Sequence, residues 1–415
     1  MNAEVLAVGS ELLTPLRSDT NALYITAKLA EVGVAVGVRV TVADHPGLLE
    51  SAFRAALTRA DLVIATGGLG PTEDDLTREA AAAALGRGMR RDAEILEALK
   101  ARFARYGRVM APVNEKQADV IEGARVLPNP RGSAPGQCVE AGGRLLFLLP
   151  GPPSEMQPMF EEQVLPAVRE QAGASVLLTR VLRIASMSES DVEQAVAPHY
   201  TRYTNPRTTI LGAPGQVELH LTAEAASREA ALERIEELAA AMRGALPGRI
   251  YSEDDRELHE VVAQLLKERS LTLSIAESCT GGLLAARLTE VPGASAFLER
   301  AYVTYSNRSK IELLGVEPGL IEAHGAVSEP VARAMAEGAR RAGDTAIGVG
   351  ITGIAGPDGA TPDKPLGLVF LAIAGAAGDR VRRLQFPGGR ERVRQQAAQA
   401  CLEMLRRGLL GLSLS

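Results

Sequence analysis

The sequence predicts an α/β protein in which two α/β domains flank a small α+β unit. Three observations carry this. Short apolar runs alternate with helical patterns over residues 1–165, as in a parallel, doubly wound sheet. Residues 166–250 instead pair strand-like runs with one long amphipathic helix, and strand–helix alternation resumes over 251–415. A chain of 415 residues also exceeds one ordinary hydrophobic core.

The elements follow in order. Residues 3–8 form an apolar run ending at Gly9, followed by a helical pattern over 20–32. A strand is expected over 34–42 and a helix over 46–59. Asp61-Leu62-Val63-Ile64-Ala65 reads as a buried strand running into Thr66-Gly67-Gly68. A strand over 145–149 stops hard at Pro150-Gly151-Pro152-Pro153, and one more helix closes the first domain near 165. In the middle unit, 176–184 and 217–222 read as strands and 227–246 as a helix. Gly212-Ala213-Pro214-Gly215 matches the GxxG of an RNA-binding KH loop. That loop needs helices on both sides; between two extended segments a plain turn is expected. In the last domain, 257–268 reads as a helix. A strand over 271–275 leads into Glu277-Ser278-Cys279-Thr280-Gly281-Gly282 and a helix over 283–289. Strands over 346–351 and 368–374 and a helix over 390–405 complete it.

Composition narrows the function classes. Hydrophobic residues make up 46 %, enough to fill cores of this size and exclude wholesale disorder. Trp is absent, so the cores rest on Ala, Leu and Val. A net charge of −6 with dispersed basic residues argues against a nucleic-acid or acidic-membrane binder. No uninterrupted apolar stretch approaches the ~18 residues of a spanning helix, and the N-terminus lacks a signal pattern. A soluble, cytoplasmic protein is expected. Cys138, Cys279 and Cys401 form no CxxC and stand apart from the His residues, which argues against a zinc site. Lys is confined to Lys28, Lys100, Lys116, Lys267, Lys310 and Lys364, so a Lys inside a motif carries weight.

Three N-terminal segments fall where ligands bind in open α/β sheets, beyond the C-terminal ends of strands. They are Gly9-Ser10-Glu11 with Asp19-Thr20-Asn21, then Thr66-Gly67-Gly68-Leu69-Gly70-Pro71-Thr72-Glu73-Asp74-Asp75, then Pro150-Gly151-Pro152-Pro153-Ser154-Glu155. Glycines let backbone N–H groups face a phosphate. Asp74 and Asp75 supply oxygens suited to a hard cation such as Mg²⁺, or they cap the next helix. Spacing leaves both readings open.

In the last domain, a serine hydroxyl needs a base to become a nucleophile. No His is tied to Ser278. Lys310, in Tyr302-Val303-Thr304-Tyr305-Ser306-Asn307-Arg308-Ser309-Lys310, is the candidate base if burial lowers its pKa. Tyr305 could hold or relay for the amine. Backbone N–H groups after Ser278 could form an oxyanion hole, Gly281 and Gly282 would leave room for a substrate ring, and Thr352-Gly353 could complete the hole. Arg392 could take a phosphate bidentately. The bland alternatives are Ser278 as a helix N-cap, Cys279 as the true nucleophile or as packing, Lys310 as an exposed helix residue and Arg392 as a surface charge.

These motifs, with Asn114, Gln117 and Ser133-Ala134-Pro135-Gly136, resemble the CinA (competence/damage-inducible) family along the whole chain. The resemblance implies a molybdopterin-binding-like domain over 1–165 acting as a metal-dependent ADP-ribose pyrophosphatase. It further implies a KH-like linker over 166–250 and a nicotinamide mononucleotide (NMN) deamidase over 251–415. Carried over, Asp74 and Asp75 would be metal or catalytic carboxylates, the metal being Mg²⁺, Mn²⁺ or Co²⁺. Gly67, Gly68, Gly70 and Thr72 lie against the diphosphate, and Glu11 and Asn21 line the pocket. Ser278 is the nucleophile, Lys310 the base, Tyr305 an assistant and Thr352 the amide or oxyanion contact. Glu277, Gly281, Gly282, Gly353 and Arg392 contact the nucleotide, and the deamidase needs no metal. A homodimer is expected. Pterin binding by the first domain and a non-enzymatic competence partner are the rival implications.

Overall fold

The computed structural model describes residues 1–173 and 176–413. The chain divides into two compact units, one of Met1–Leu178 with Ala223–Glu233, the other of Thr179–Thr222 with Arg234–Ser415.

The first unit holds a six-stranded sheet in the order Ala35–Val42, Asn2–Val8, Leu62–Thr66, Arg144–Leu149, Gly136–Ala141, Arg125–Leu127. The first four strands are parallel, and the last two run antiparallel. A purely parallel sheet was the expectation. Alternating runs reveal which segments are extended but not their direction, and the reversed strand Gly136–Ala141 is joined to Arg144–Leu149 by the tight Gly142-Gly143 turn. The central strands are buried on both faces. On one face Ile25 and Leu29 of the helix Asn21–Glu31 pack with Phe147 and Phe160. On the other, Leu49 and Phe53 of the helix Pro46–Arg59 pack with Ala81 and Leu146. The helical stretch from Pro153 continues through a π turn at Phe160–Val164 to Ala172, so an end at 165 falls inside it.

The second unit holds a five-stranded sheet and most of a four-stranded one. The smaller has the order Arg207–Ala213, Gln216–Ala225, Val176–Ala185, Ile250–Ser252. Its GxxG segment is the turn of an antiparallel hairpin, with Ala213 opposite Gln216. The larger has the order Leu298–Val303, Leu273–Glu277, Ile347–Gly353, Leu368–Gly375, Arg380–Gln385. The first three strands are parallel, the last two antiparallel. Val262 and Leu266 of the helix Leu258–Glu268 join Leu402 and Leu405 of the helix Arg390–Leu409 over one face. Met335 and Ala339 of the helix Glu329–Gly343 cover part of the other. A buried ion cluster fixes the end of the last helix, with Glu403 2.7 Å from Arg406 and 3.5 Å from Arg407. No helix among the described residues is long and apolar enough to cross a membrane.

Candidate functional sites

Each unit offers one site at the C-terminal ends of parallel strands, where ligands bind in open sheets. In the second unit three neighbouring strands end together, bringing Ser278, Thr304 and Thr352 to one edge. The Ser278 N–H donates to Ile351 O at 2.9 Å and the Thr304 N–H to Glu277 O at 2.8 Å, so the sheet ladder itself sets the start of each loop. The chain then turns into the helix Asn307–Leu314, capped where Ser306 Oγ accepts from the Ser309 N–H. That helix carries Lys310 back beneath the strand ends.

Lys310 is 1 % exposed and Ser278 8 %. Lys310 Nζ lies 3.1 Å from Ser278 Oγ, 2.7 Å from Thr304 O and 3.5 Å from Tyr305 O. Burial pushes the Lys310 amine below the ordinary lysine value. A neutral amine has two N–H donors and one lone pair. In that form, with its two donors on the two carbonyls, the lone pair would face the Ser278 hydroxyl proton. Lys310 is therefore not an exposed helix residue. Nor is Ser278 a helix cap, because the N-cap of the helix Leu283–Thr289 is Gly282. Burial drives the neighbouring Cys279 thiol up to about 12, so it stays protonated near neutral pH.

Glu277, expected at the substrate, points elsewhere. It is 1 % exposed, and its carboxylate accepts from the N–H groups of Gly282, Leu284 and Ala285 at 3.1, 3.2 and 2.9 Å. A buried carboxylate at the end of a strand is thereby satisfied by the first turn of the next helix, and it anchors the nucleophile loop. Gly281 and Gly282 have φ of +61° and +90°, which a Cβ would strain. Cys279 and Thr280 follow Ser278 directly in the loop, and no backbone acceptor takes their N–H groups among the described residues, which makes them candidate oxyanion donors. Thr352, also buried, donates its hydroxyl to Ala326 O at 2.8 Å. Gly353 lies beside the Cys279 sulfur, which a Cβ would meet at 3.0 Å.

The phenol of Tyr305 is exposed and accepts from Arg390 Nη2 at 2.8 Å, so its contact with Lys310 runs through the main-chain carbonyl. Arg392 lines a cleft with Met187, Pro214 and Phe386 that includes neither Ser278 nor Lys310. Two other arginines of the same helix serve the nucleophile region. Arg394 clasps Thr280 O through Nε and Nη2 at 3.2 and 2.9 Å, and Arg390 ties Tyr305 to Gly356 O. The signal for them was the i, i+4 spacing, which puts 390 and 394 on one helix face and 392 on another.

In the first unit, a cavity of about 570 Å³ is lined by Glu11, Asn21, Gly67, Gly68, Gly70, Asp74 and Asp75 together with the Pro150–Pro153 turn. This volume suits a small ligand. Gly67 has φ +104°, and a Cβ there would sit 2.1 Å from Val8 O, so only glycine lets the loop leave the strand at that point. Arg78, wholly buried, donates to Leu69 O and Gly70 O, while Lys116 Nζ donates to Thr72 O and Asp75 O, both at 2.8 Å. Sequence reasoning assigned neither of these two loop anchors a role, although Lys116 belongs to the sparse lysines. Asn21 Nδ2 donates to Thr66 Oγ1 and Gly151 O at 3.0 and 2.7 Å, tying the three loops together.

Asp74 and Asp75 do not cap the helix Thr77–Leu85, whose N-cap is Leu76 with no side-chain bond. Asp75 Oδ2 instead accepts from the Thr72 N–H and hydroxyl, and Thr72 itself is not among the residues lining the cavity. The described residues contain no cluster of three or more His, Cys, Asp or Glu side chains able to hold a metal. Of the acids around the cavity, Asp19 caps the Ala22 N–H, Asp44 accepts from the Ser10 N–H and Glu155 accepts from Asn129. Glu11 and the second oxygen of Asp75 remain, together with Asp74, whose carboxylate Thr72 also contacts by a side-chain hydrogen bond. The two aspartates fit a hard cation whose other ligands are water and substrate phosphate oxygens.

The comparisons agree along the chain. Residues 4–170 match the probable molybdopterin binding domain, 179–252 the damage-inducible protein CinA KH domain and 255–409 the CinA C-terminal domain. A CinA-like protein of Koribacter versatilis is 48 % identical over 414 residues, covering 99 % of this chain and 100 % of the relative. A putative competence-damage inducible protein of Symbiobacterium thermophilum is 45 % identical over 423 residues, covering 99 % of both. Among solved structures, CinA of Thermoplasma acidophilum, described as of unknown function, is 35 % identical with a TM-score of 0.37, covering 41 % of this chain and 98 % of that one.

Proposed function

The chain belongs to the CinA family, and from that premise we propose that its second unit deamidates NMN and its first hydrolyses ADP-ribose. The observation that carries the first reading is the buried Ser278–Lys310 pair, 3.1 Å apart, with the amine shifted toward its neutral form. Lys310 Nζ takes the Ser278 hydroxyl proton as Oγ attacks the carboxamide carbon of NMN. The carbonyl electron pair moves onto oxygen, where the Cys279 and Thr280 N–H groups stabilise it. When the C–N bond breaks, the Lys310 proton passes to the leaving nitrogen and ammonia departs. The nicotinoyl ribotide is left as an ester on Ser278. Lys310 then takes a proton from water, whose oxygen attacks the ester, and returns it to Ser278 as nicotinate mononucleotide leaves. No step calls for a metal. Ammonia release from NMN by wild type and Ser278→Ala tests this. Loss in the variant with an unchanged melting midpoint is expected, and equal release contradicts the nucleophile.

For the first unit, the supporting observation is the cavity that joins a glycine loop to Asp74 and Asp75. Its reaction would cleave ADP-ribose with water into AMP and ribose 5-phosphate. Mg²⁺, Mn²⁺ or Co²⁺, when bound, would draw charge from the diphosphate. Asp74 and Asp75 would hold it, the Gly67–Gly70 amides would lie against the phosphates and Asn21 would keep the three loops in register. AMP release that requires added metal is the expected result; no release with any of the three ions overturns it.

A further inference from the structure

We infer that the hairpin turn of the small sheet is a working part of the deamidase centre, with Gln216 a positioning residue for the Ser278 loop. The inference rests on the deamidase reading above and adds a residue to it from outside the domain that carries Ser278. The turn's backbone presses on the helix Arg390–Leu409: a Cβ on Gly215, whose φ is +83°, would lie 3.0 Å from Cβ and Cγ of Gln399. Beside it, Gln216 Oε1 accepts from the Tyr251 hydroxyl at 2.9 Å and from Gln399 Nε2 at 3.0 Å. Gln399, 7 % exposed, turns its own Oε1 to Arg287 Nη1 at 2.9 Å, and Arg287 Nη2 donates to Gln395.

The direction of this chain is forced. A guanidinium only donates, so Gln399 must give it the oxygen and present its NH₂ to Gln216, which must answer with oxygen. Glu290 and Glu257 act on the Arg287 charge through space, while the two amide oxygens are the hydrogen-bonded anchors of its guanidinium. Arg287 belongs to the helix Leu283–Thr289, which starts directly after Gly281-Gly282. On the opposing helix, Arg394 holds Thr280 O from the side. The last helix thus holds the Ser278 loop at Thr280 O and the helix that follows the loop at Arg287, and Gln216 sets the rotamer of Gln399, the residue in the middle of the second hold. Small displacements of a reacting group cost large factors in rate.

The test uses the full chain with Gln216→Leu, Gln399→Leu and the double variant, with ammonia release from NMN, melting midpoint and amide exchange of residues 278–285 as readouts. Each single variant should lower kcat roughly tenfold with KM unchanged. The double variant should be no worse than either single one, and amides 280–285 should exchange faster. Gln216→Glu keeps the acceptor and should restore kcat. Wild-type kcat in Gln216→Leu overturns the inference. So does a loss that tracks earlier melting and is not restored by Gln216→Glu. If the wild type releases no ammonia, the deamidase reading fails. Exchange then still decides the positioning role, which unchanged rates would overturn.

Discussion

The two sites share an address, the C-terminal ends of parallel strands, but are built on opposite principles. At the Ser278 site the chemistry lies in side chains, and the fold buries them: amine, hydroxyl and the carboxylate of Glu277 are each at most 8 % exposed. At the glycine-loop site the chemistry lies in backbone amides and open acids, with Asp74 exposed to solvent. Excluding water is what makes this lysine a candidate base. A diphosphate with its cation arrives carrying its own charge and needs mainly a shaped, hydrogen-bonding cradle. Burial is therefore part of the mechanism in one site and an obstacle to entry in the other.

The largest test of that contrast is Lys310→Met. It should cut ammonia release from NMN by roughly 10⁴-fold and leave AMP release from ADP-ribose unchanged; an equal loss of both would show that the substitution disturbs the fold. Next, Asp74→Asn with Asp75→Asn should lower AMP release roughly 100-fold and spare deamidation, and a chelator should separate the two activities in the same way. The pH profile gives the third contrast. With Lys310 active as the free amine, kcat/KM for NMN should rise about tenfold per pH unit below its pKa, levelling off below the ordinary lysine range. The same shift bears on stability. Between the depressed folded value and the unfolded value, the unfolded chain binds the extra proton, so stability rises with pH across that window. It falls again toward acid, until the folded pKa is passed. Lys310→Met should flatten this rise in urea unfolding measured against pH. A smaller effect is expected for Glu277→Gln, which replaces one of two accepting oxygens by a donor. Stability should fall by about 1–3 kcal/mol, with deamidation lowered through the loop rather than through KM. Smallest of all, Cys279→Ala should leave kcat within about threefold; a full loss would make the thiol the nucleophile.

Much of both sites was legible before the fold was known, and the reason is local. Strand, glycine turn and helix leave a pattern in consecutive residues, so Thr66-Gly67-Gly68 and Glu277 to Gly282 could be placed at strand ends. The Ser278–Lys310 pairing was legible because lysines are scarce, no His is tied to Ser278 and Lys310 lies in a motif-like stretch. What consecutive residues do not encode is direction and facing. The antiparallel strands Gly136–Ala141 and Leu368–Gly375 have the same apolar pattern as parallel ones. Glu277 looked like a substrate contact because its three amide partners come from the next helix. Arg392 is read from its place in a motif, which carries no information about helix facing, and Arg390 and Arg394 on another face are the ones that reach the nucleophile region. The apolar pattern also left the strand Leu298–Val303 unassigned, since only two of its six residues are even partly buried.

The central claim is that Ser278, activated by Lys310, carries the substrate acyl group. It is tested most directly by quenching the full chain milliseconds after mixing with NMN and mapping the modified peptide by mass spectrometry. A nicotinoyl ribotide ester on Ser278, absent in Lys310→Met, is the predicted result. An adduct on Cys279, or turnover to nicotinate mononucleotide with no adduct at any time point and full activity in Ser278→Ala, would contradict it.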